Sequence, residues 1–451
     1  MEAVRKASLH TDRLLFAVYI AGYLIAAFFL AFVQPDADSG LQVFGPPDES
    51  SRFLIPQFIC ENGYLPTGFE DAVRVEGYNI SYAFHPILPY IIMGYLMRIL
   101  RAAGVPAEAL LYAARSVNVL SGLAFAVVLY LLAGRLFQKS PFRWLFCFGV
   151  LYLPQQLFVH TYVNTDSMCM LSIAIIIYAL VRLYEDGPDR QNAALLATGV
   201  TVLLQTYYNA YGYVVSAALL YVLYFVRRDG DGTKRLNMRE CMKHAWPVLL
   251  FVLVFAGWWF VREAILLDGD FTGIATNARL RKTVLLTPAE EGIGLIELFR
   301  TRPVLRLVTE SFIARFGSMS IIASPQYYFV YELYLAAGLL LSVPYLAGKR
   351  TAGARRKRFA ACMALAVLLN VVLWVYYLYW SDYQPQGRYL LPSLIPLYYA
   401  VTRGYESLSE RLGRKRMMQA AAGVLTAFVI IALYHYVFKL CYPVYCLTQM
   451  P

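Results

Sequence analysis

About eleven apolar runs, each long enough or nearly so to cross a bilayer as a helix, constrain this chain more than anything else in it. They lie near 14–34, 113–134, 142–159, 167–183, 192–208, 211–226, 245–262, 328–347, 359–379, 389–404 and 417–437. Within a bilayer the backbone has no water to bond to, and unbroken apolar runs meet that demand as helices. The tenth run is short and carries Pro392 and Pro396, which predicts a kink. The composition agrees: 59% of the 451 residues are hydrophobic and 15% are charged, unlike a soluble domain of this length. The 36 Tyr, 27 Phe and 6 Trp suit aromatic belts at two interfaces. The first run lacks a small-residue cleavage site and reads as an uncleaved signal anchor.

Topology turns on whether 86–102 also spans. Arg98 and Arg101 stand one turn apart and give it a polar edge, so it reads as a helix lying in the interface. The N-terminus and segments 135–143, 182–190, 227–243, 349–358 and 403–416 then share one side. They hold most of the 40 Lys and Arg, which is a positive-inside pattern. The net charge of +11 therefore reports topology and contact with anionic lipid, for instance at Arg355–Arg358, rather than nucleic acid.

The expectation is an all-α integral membrane protein of the plasma membrane, a single polytopic domain over 1–451. Its N-terminus is cytoplasmic. After the first span (1–34) comes an outer loop with interfacial helices (35–112), then spans two to seven (113–262). A second outer loop (263–327), the last four spans (328–437) and an outer tail (438–451) follow, with no large soluble C-terminal domain. Within 263–327, the pattern from Glu290 to Phe299 predicts an amphipathic helix start. Cys147, Cys169, Cys241 and Cys362 read as small core residues. Cys441 and Cys446 can form a disulfide if the tail is extracytoplasmic. No phosphate-cradling Gly-rich loop is present, which argues against a cytoplasmic ATP-driven machine.

Six compact polar motifs share the outer side. Pro47-Asp48-Glu49 places two carboxylates beside a membrane boundary, where desolvation is costly; a plain helix N-terminus is the alternative. His85-Pro86 opens the interfacial helix, and Arg115 stands at the mouth of the second span. Asn164-Thr165-Asp166 tops the fourth, as cap or site. Trp259 to Arg262 leads to Asp268-Gly269-Asp270, which reads as a turn. Gln386-Gly387-Arg388-Tyr389 puts a guanidinium at the hydrocarbon edge, where it must pair or snorkel.

Taken in order, these motifs resemble the GT-C superfamily of polyprenyl-phosphate-sugar-dependent glycosyltransferases, most closely a bacterial family of predicted integral membrane transferases. Protein mannosyltransferases and the aminoarabinose transferase of lipid A are more distant likenesses. Pro47-Asp48-Glu49 resembles that family's first-loop acidic motif, and Asn164-Thr165-Asp166 its Asn-Asn-Asp. His85-Pro86 with Leu88-Pro89-Tyr90 is similar to its His-Pro-Pro-Leu-Tyr-Tyr, with Ile87 for Pro. Trp259 to Asp270 resembles its Trp-x-x-Arg-Asn stretch, with Glu263 for Asn. Ser311-Phe312 and Phe316-Gly317 follow its Ser-Phe-Trp-Gly-x-Phe-Gly, and Gln386 to Leu390 its Gln-Gly-Arg-Tyr-Leu.

The resemblance implies inverting transfer from a polyprenyl-phosphate sugar donor to an extracytoplasmic acceptor (glycan, lipid or protein), with membrane lipid as a partner and no nucleic acid. Asp48 is the expected base, Glu49 orients it or exchanges roles with it, and the close pair titrates together. Asp166 adds a second acid. Arg388 meets the donor phosphate, helped by Arg115 or Arg262. His85, Asn164, Gln386 and Tyr389 contact acceptor or phosphate. A divalent cation, Mg or Mn, on Asp48 and Asp166 is compatible with this but not required. A lipid-linked saccharide polymerase or flippase, and an assembly subunit with a degenerate site, are the other readings.

Overall fold

The computed structural model describes residues 2–35, 45–228, 233–282, 286–347, 354–412 and 415–448. Residues 36–44 of the first loop and the basic side chains of Arg355 and Arg356 lie outside that description.

Helix α1 (Glu2–Val33) leads into the first long loop, where α2 (Glu49–Asn62) packs on α3 (Leu88–Ala102). Next come α4 (Ala107–Leu136), α5 (Ser140–Leu151), α6 (Pro154–Val159) and α7 (Asp166–Asp186), then α8 (Arg190–Leu204) and α9 (Gly212–Tyr224). A short antiparallel hairpin, β1 (Val226–Arg228) with β2 (Lys234–Leu236), precedes α10 (Met238–Phe255) and α11 (Gly257–Leu266). The second long loop carries α12 (Ile274–Leu280), α13 (Leu295–Thr301) and α14 (Val304–Ile313). A two-residue pairing of β3 (Arg315–Phe316) with β4 (Ile321–Ile322) closes it. The chain then runs through α15 (Pro325–Ala347), α16 (Ala354–Tyr376), α17 (Leu394–Arg411), α18 (Lys415–His435) and α19 (Tyr442–Thr448).

Among the described residues, seven helical segments are long and apolar enough to cross a membrane: 10–33, 107–136, 166–186, 238–266, 325–344, 357–381 and 419–446. The other four expected runs take shorter forms. The run 142–159 breaks ahead of Pro154 into α5 and α6, because proline disfavours helix at the residue before it. Helices α8 and α9 have only 15 and 13 residues. The run 389–404 begins as a 3-10 segment, Gly387–Ser393, containing Pro392, and only then becomes α17. Helix α5 is buried nearly all round, as its uniformly apolar sequence demands. Helix α3 has 15 residues, fewer than the roughly 20 a span needs. It buries Tyr90, Met93 and Met97, and Arg98 donates to the Cys60 carbonyl at 2.9 Å.

Many tyrosines are struts inside the bundle rather than belt residues. Tyr23 Oη donates to Val119 O at 2.8 Å, Tyr152 to Tyr19 O at 2.9 Å, and Tyr213 to Pro392 O at 2.7 Å. Each buries a ring and satisfies its hydroxyl on a neighbouring backbone. Cys441 and Cys446 are free thiols, so the tail carries no bridge.

Gly387 is where the last loop meets the second long loop. Its N–H donates to Ser311 Oγ at 2.7 Å, and a Cβ there would collide with Val308 O and Phe312 N on α14. This contact sets the register of Arg388. Gly387→Ala should therefore destabilise the protein by about 1–3 kcal/mol, read as a lower melting temperature in detergent. Gly134→Ala, where an added Cβ meets nothing within 4 Å, should leave it unchanged or slightly higher.

Candidate functional site

The short acidic segment before α2 is built around an unusual backbone. Asp48 adopts left-handed φ 61°, ψ 8° ahead of α2, a region that Asp tolerates better than most residues. Its carboxylate makes no capping bond to the helix it precedes. Instead Asp48 Oδ2 accepts from Arg388 Nη2 at 2.5 Å, across 340 residues of chain. One helical turn on, Arg52 Nη2 stands 3.8 Å from the same oxygen.

Glu49 goes elsewhere. Arg115 Nε and Nη2 bond its two oxygens at 3.0 and 2.6 Å, and Val163 N donates to it at 2.7 Å. The remaining N–H bonds of Arg115 reach Ala31 O at 2.8 Å, Gln34 O at 3.1 Å and Pro35 O at 3.2 Å. Five donors thus meet five acceptors, in a side chain with no exposed surface. Arg115 has no N–H left for a phosphate, and Glu49 is a structural partner. The two adjacent acids turn to different partners.

Asp166, 4% exposed, opens α7 beside the same cluster. Arg52 Nη1 lies 3.9 Å from its Oδ2, and that oxygen has no hydrogen-bond partner. Arg52 also lies over the Tyr82 ring at 4.9 Å and donates to Tyr90 Oη at 3.4 Å. Arg388, 2% exposed, lies 5.2 Å from the Tyr389 ring centre, and its Nε and Nη1 lack hydrogen-bond partners. Tyr389 Oη accepts from Arg388 at 3.3 Å and donates to Gln384 Oε1 at 2.6 Å. Two guanidinium groups and two carboxylates therefore share one tyrosine-walled cluster, buried except at half-exposed Asp48, with several polar atoms unspent. Such atoms are costly to bury and mark where a ligand can repay the desolvation.

The other expected residues divide. His85 packs against Tyr82 and Tyr208, with Nε2 3.3 Å from Asn277 Nδ2. Burial, helped by the Arg52 charge, pushes its imidazole down to about 4, so it is neutral at physiological pH. Gln386 only reaches Gln384, at 3.5 Å. Asn164 spends its side chain on Val159 O, Tyr162 O and Ser167 N, and so caps the entry to α7. Arg262 binds Pro66 O at 2.6 Å and Glu263 at 2.5 Å, tying α11 to the first loop rather than joining Arg388. Asp270 staples its own turn through Thr272 and Thr276. Arg52, Tyr82, Tyr90 and Gln384 had no assigned role; the i, i+4 spacing of Asp48 and Arg52 was the available signal for the first of them.

With this geometry in hand, relatives can be compared. Residues 60–397 match a family described as "Predicted membrane protein (DUF2142)". The chain belongs to this family. No curated protein sequence matches it. Among solved structures, ArnT from Cupriavidus metallidurans bound to undecaprenyl phosphate shares 12% identity at a TM-score of 0.52, covering 95% of this chain and 70% of that one. The Archaeoglobus fulgidus oligosaccharyltransferase AglB, in complex with an inhibitory peptide and a dolichol-phosphate, shares 12% at 0.50, covering 95% and 56%. The chain thus spans little more than half the length of the oligosaccharyltransferase. At such identities the likeness is one of fold, which this DUF2142 protein shares with ArnT and with the oligosaccharyltransferase.

Among the described residues of the DUF2142 chain, no three His, Cys, Asp or Glu side chains gather to hold a metal ion. Arg52 stands between the carboxylates of Asp48 and Asp166, so the donor set does not suit the oxygen-only coordination of Mg or Mn.

Burial opposes ionisation of Asp48, but the charges of Arg388 and then Arg52 outweigh it and hold the carboxyl below its usual range. A depressed carboxyl contributes stability that is present above the unfolded pKa, near 4, and lost as pH falls through the folded value. The melting-temperature gap between wild type and Asp48→Asn should therefore stay constant from neutral pH to about 5 and close only in stronger acid. Arg115→Leu, which strands Glu49, should cost about 3–5 kcal/mol, seen as loss of folded protein in size-exclusion profiles.

Proposed function

We propose that this protein is an inverting glycosyltransferase that moves a sugar from a polyprenyl-phosphate donor to an acceptor hydroxyl at the extracytoplasmic face of the plasma membrane. The observation that carries this reading is the pairing of half-buried Asp48 with fully buried Arg388, whose guanidinium keeps unspent N–H groups. It lies in a fold shared with an enzyme captured on undecaprenyl phosphate.

In this reading the donor phosphate settles against Arg388, where Nε and Nη1 are unpartnered. The acceptor oxygen attacks the anomeric carbon, and its proton passes to Asp48. The bond from that carbon to the phosphate oxygen breaks, and its electron pair leaves with the phosphate. No acid is required at the leaving group, because guanidinium charge meets the developing dianion. The same arginine couples the two events. A donor phosphate that draws on Arg388 weakens its hold on Asp48, and so raises the basicity of that carboxylate as the donor binds. Arg52 positions Asp48 and Asp166. Asp166 and neutral His85 orient the acceptor through hydrogen bonds.

The test uses purified full-length protein in nanodiscs with undecaprenyl-phosphate-linked sugars. Formation of a new glycosidic bond is expected, with Asp48→Asn slower by about 10²–10⁴-fold. Arg388→Lys keeps the charge but loses the planar fork, and should weaken undecaprenyl phosphate binding. Wild-type rates in Asp48→Asn, or lipid carried across the bilayer unchanged in place of a new bond, would sink the proposal.

A further inference from the structure

A polar cavity of about 130 Å³ opens between the second long loop and the segment that precedes Gly387. Its walls include Arg281, Thr287, Glu291, Arg302, Asp382 and Tyr383. The two loops are stitched together around it. Arg281 donates to Ser381 O and lies 3.7 Å from Asp382 Oδ1. Ala289 N reaches Tyr379 O at 3.2 Å, and Tyr379 Oη reaches Ile293 O at 2.8 Å. Arg302 pairs with Glu291 and sits over the Tyr383 ring at 4.7 Å.

This wall is wired to the Asp48 cluster. Asp382 Oδ2 accepts from Gln384 Nε2 at 2.8 Å and from Tyr377 Oη at 3.3 Å. Gln384 Oε1 accepts from Tyr389 Oη at 2.6 Å, and Tyr389 Oη accepts from Arg388, which holds Asp48. The connecting turn, Tyr377–Ser381, is π-helical, a distortion often found beside functional sites.

The chemistry of the wall selects its occupant. Each guanidinium here has its own carboxylate, Arg302 with Glu291 and Arg281 with Asp382, in contrast to Arg388 with its unpartnered Nε and Nη1, so a phosphate gains little here. Closely spaced donors and acceptors beside an aromatic ring suit a neutral ligand whose every group is both donor and acceptor, which describes a polyol. A peptide would take a strand edge, and none of these residues lies in a strand. At about 130 Å³ the cavity is on the scale of a single six-membered ring, since a cavity of about 150 Å³ binds benzene.

We propose that this cavity is a saccharide subsite that grips a sugar residue of the acceptor beyond the one that reacts. The inference deepens the transferase reading and rests on it for the word acceptor. A sugar gripped here is set apart from Asp48 by the side chains of Gln384, Tyr389 and Arg388, so the proposal requires an acceptor glycan of at least two sugars.

The test is saturation-transfer NMR on the full-length protein in nanodiscs, with methyl α-glucoside, α-galactoside, α-mannoside and α-arabinofuranoside and their disaccharides as probes. Wild type should show transfer to at least one probe, stronger for the disaccharide. Glu291→Gln with Arg302→Gln, a charge-neutral double variant, should weaken that binding at least about 10-fold and leave undecaprenyl phosphate binding unchanged. Tyr383→Leu serves as a second variant should the double one fail to fold. Absence of any glycoside signal in wild type overturns the subsite, as does a signal that neither variant alters. If glycosides bind and the variants abolish it, but wild type neither binds undecaprenyl phosphate nor transfers sugar, the saccharide site stands and the transferase reading falls.

Discussion

The structure depends on one buried guanidinium. Arg115 gathers the last carbonyls of α1, the first acid of α2 and, through Glu49, the backbone at Val163. A charge without solvent contact is tolerable only when every donor is satisfied and a counter-charge is adjacent, and all five N–H groups of Arg115 meet that condition. This clamp joins the end of the first helix, the start of the first loop and the approach to α7. Glu49 is consumed in the process. Its neighbour Asp48, turned the other way by a left-handed backbone, is left facing Arg388.

The cluster that results is assembled from parts far apart in the chain. Asp48 comes from the residue ahead of α2 and Arg52 from the first turn of that helix, Asp166 from the first turn of α7, and Arg388 and Tyr389 from the segment that Gly387 presses against α14. Its formal charge balances, which lowers the cost of burial, yet its hydrogen bonding does not balance, since Arg388 and Asp166 keep unpartnered atoms. A site left in that state has donors and acceptors to offer a polar ligand.

Much of this was legible before any coordinates. Asp48, Asp166 and Arg388 were singled out as polar residues stranded at membrane boundaries, and the structure brings them together. The division of labour among similar residues was not legible. Asp48 and Glu49 are adjacent and chemically alike, and only the φ of Asp48 sends them to different partners. Arg52 lies in the first turn of α2 and Arg115 more than two turns inside α4. Which one is saturated by carbonyls and which stays beside the carboxylates depends on where α1 ends, and no local pattern encodes that. Asn164 turned out to be a cap because its side chain closes on its own turn.

Hydropathy and charge determined on their own that this chain forms apolar helices, because unpaired backbone groups cannot be left in lipid. They also marked where its polar residues would be stranded. Tertiary structure alone decided how many runs became full-length helices, which tyrosines turned inward, and which of several equivalent acids and arginines met. Pairing is a property of distance, and residues 48 and 388 acquire a distance only once the helices between them have packed.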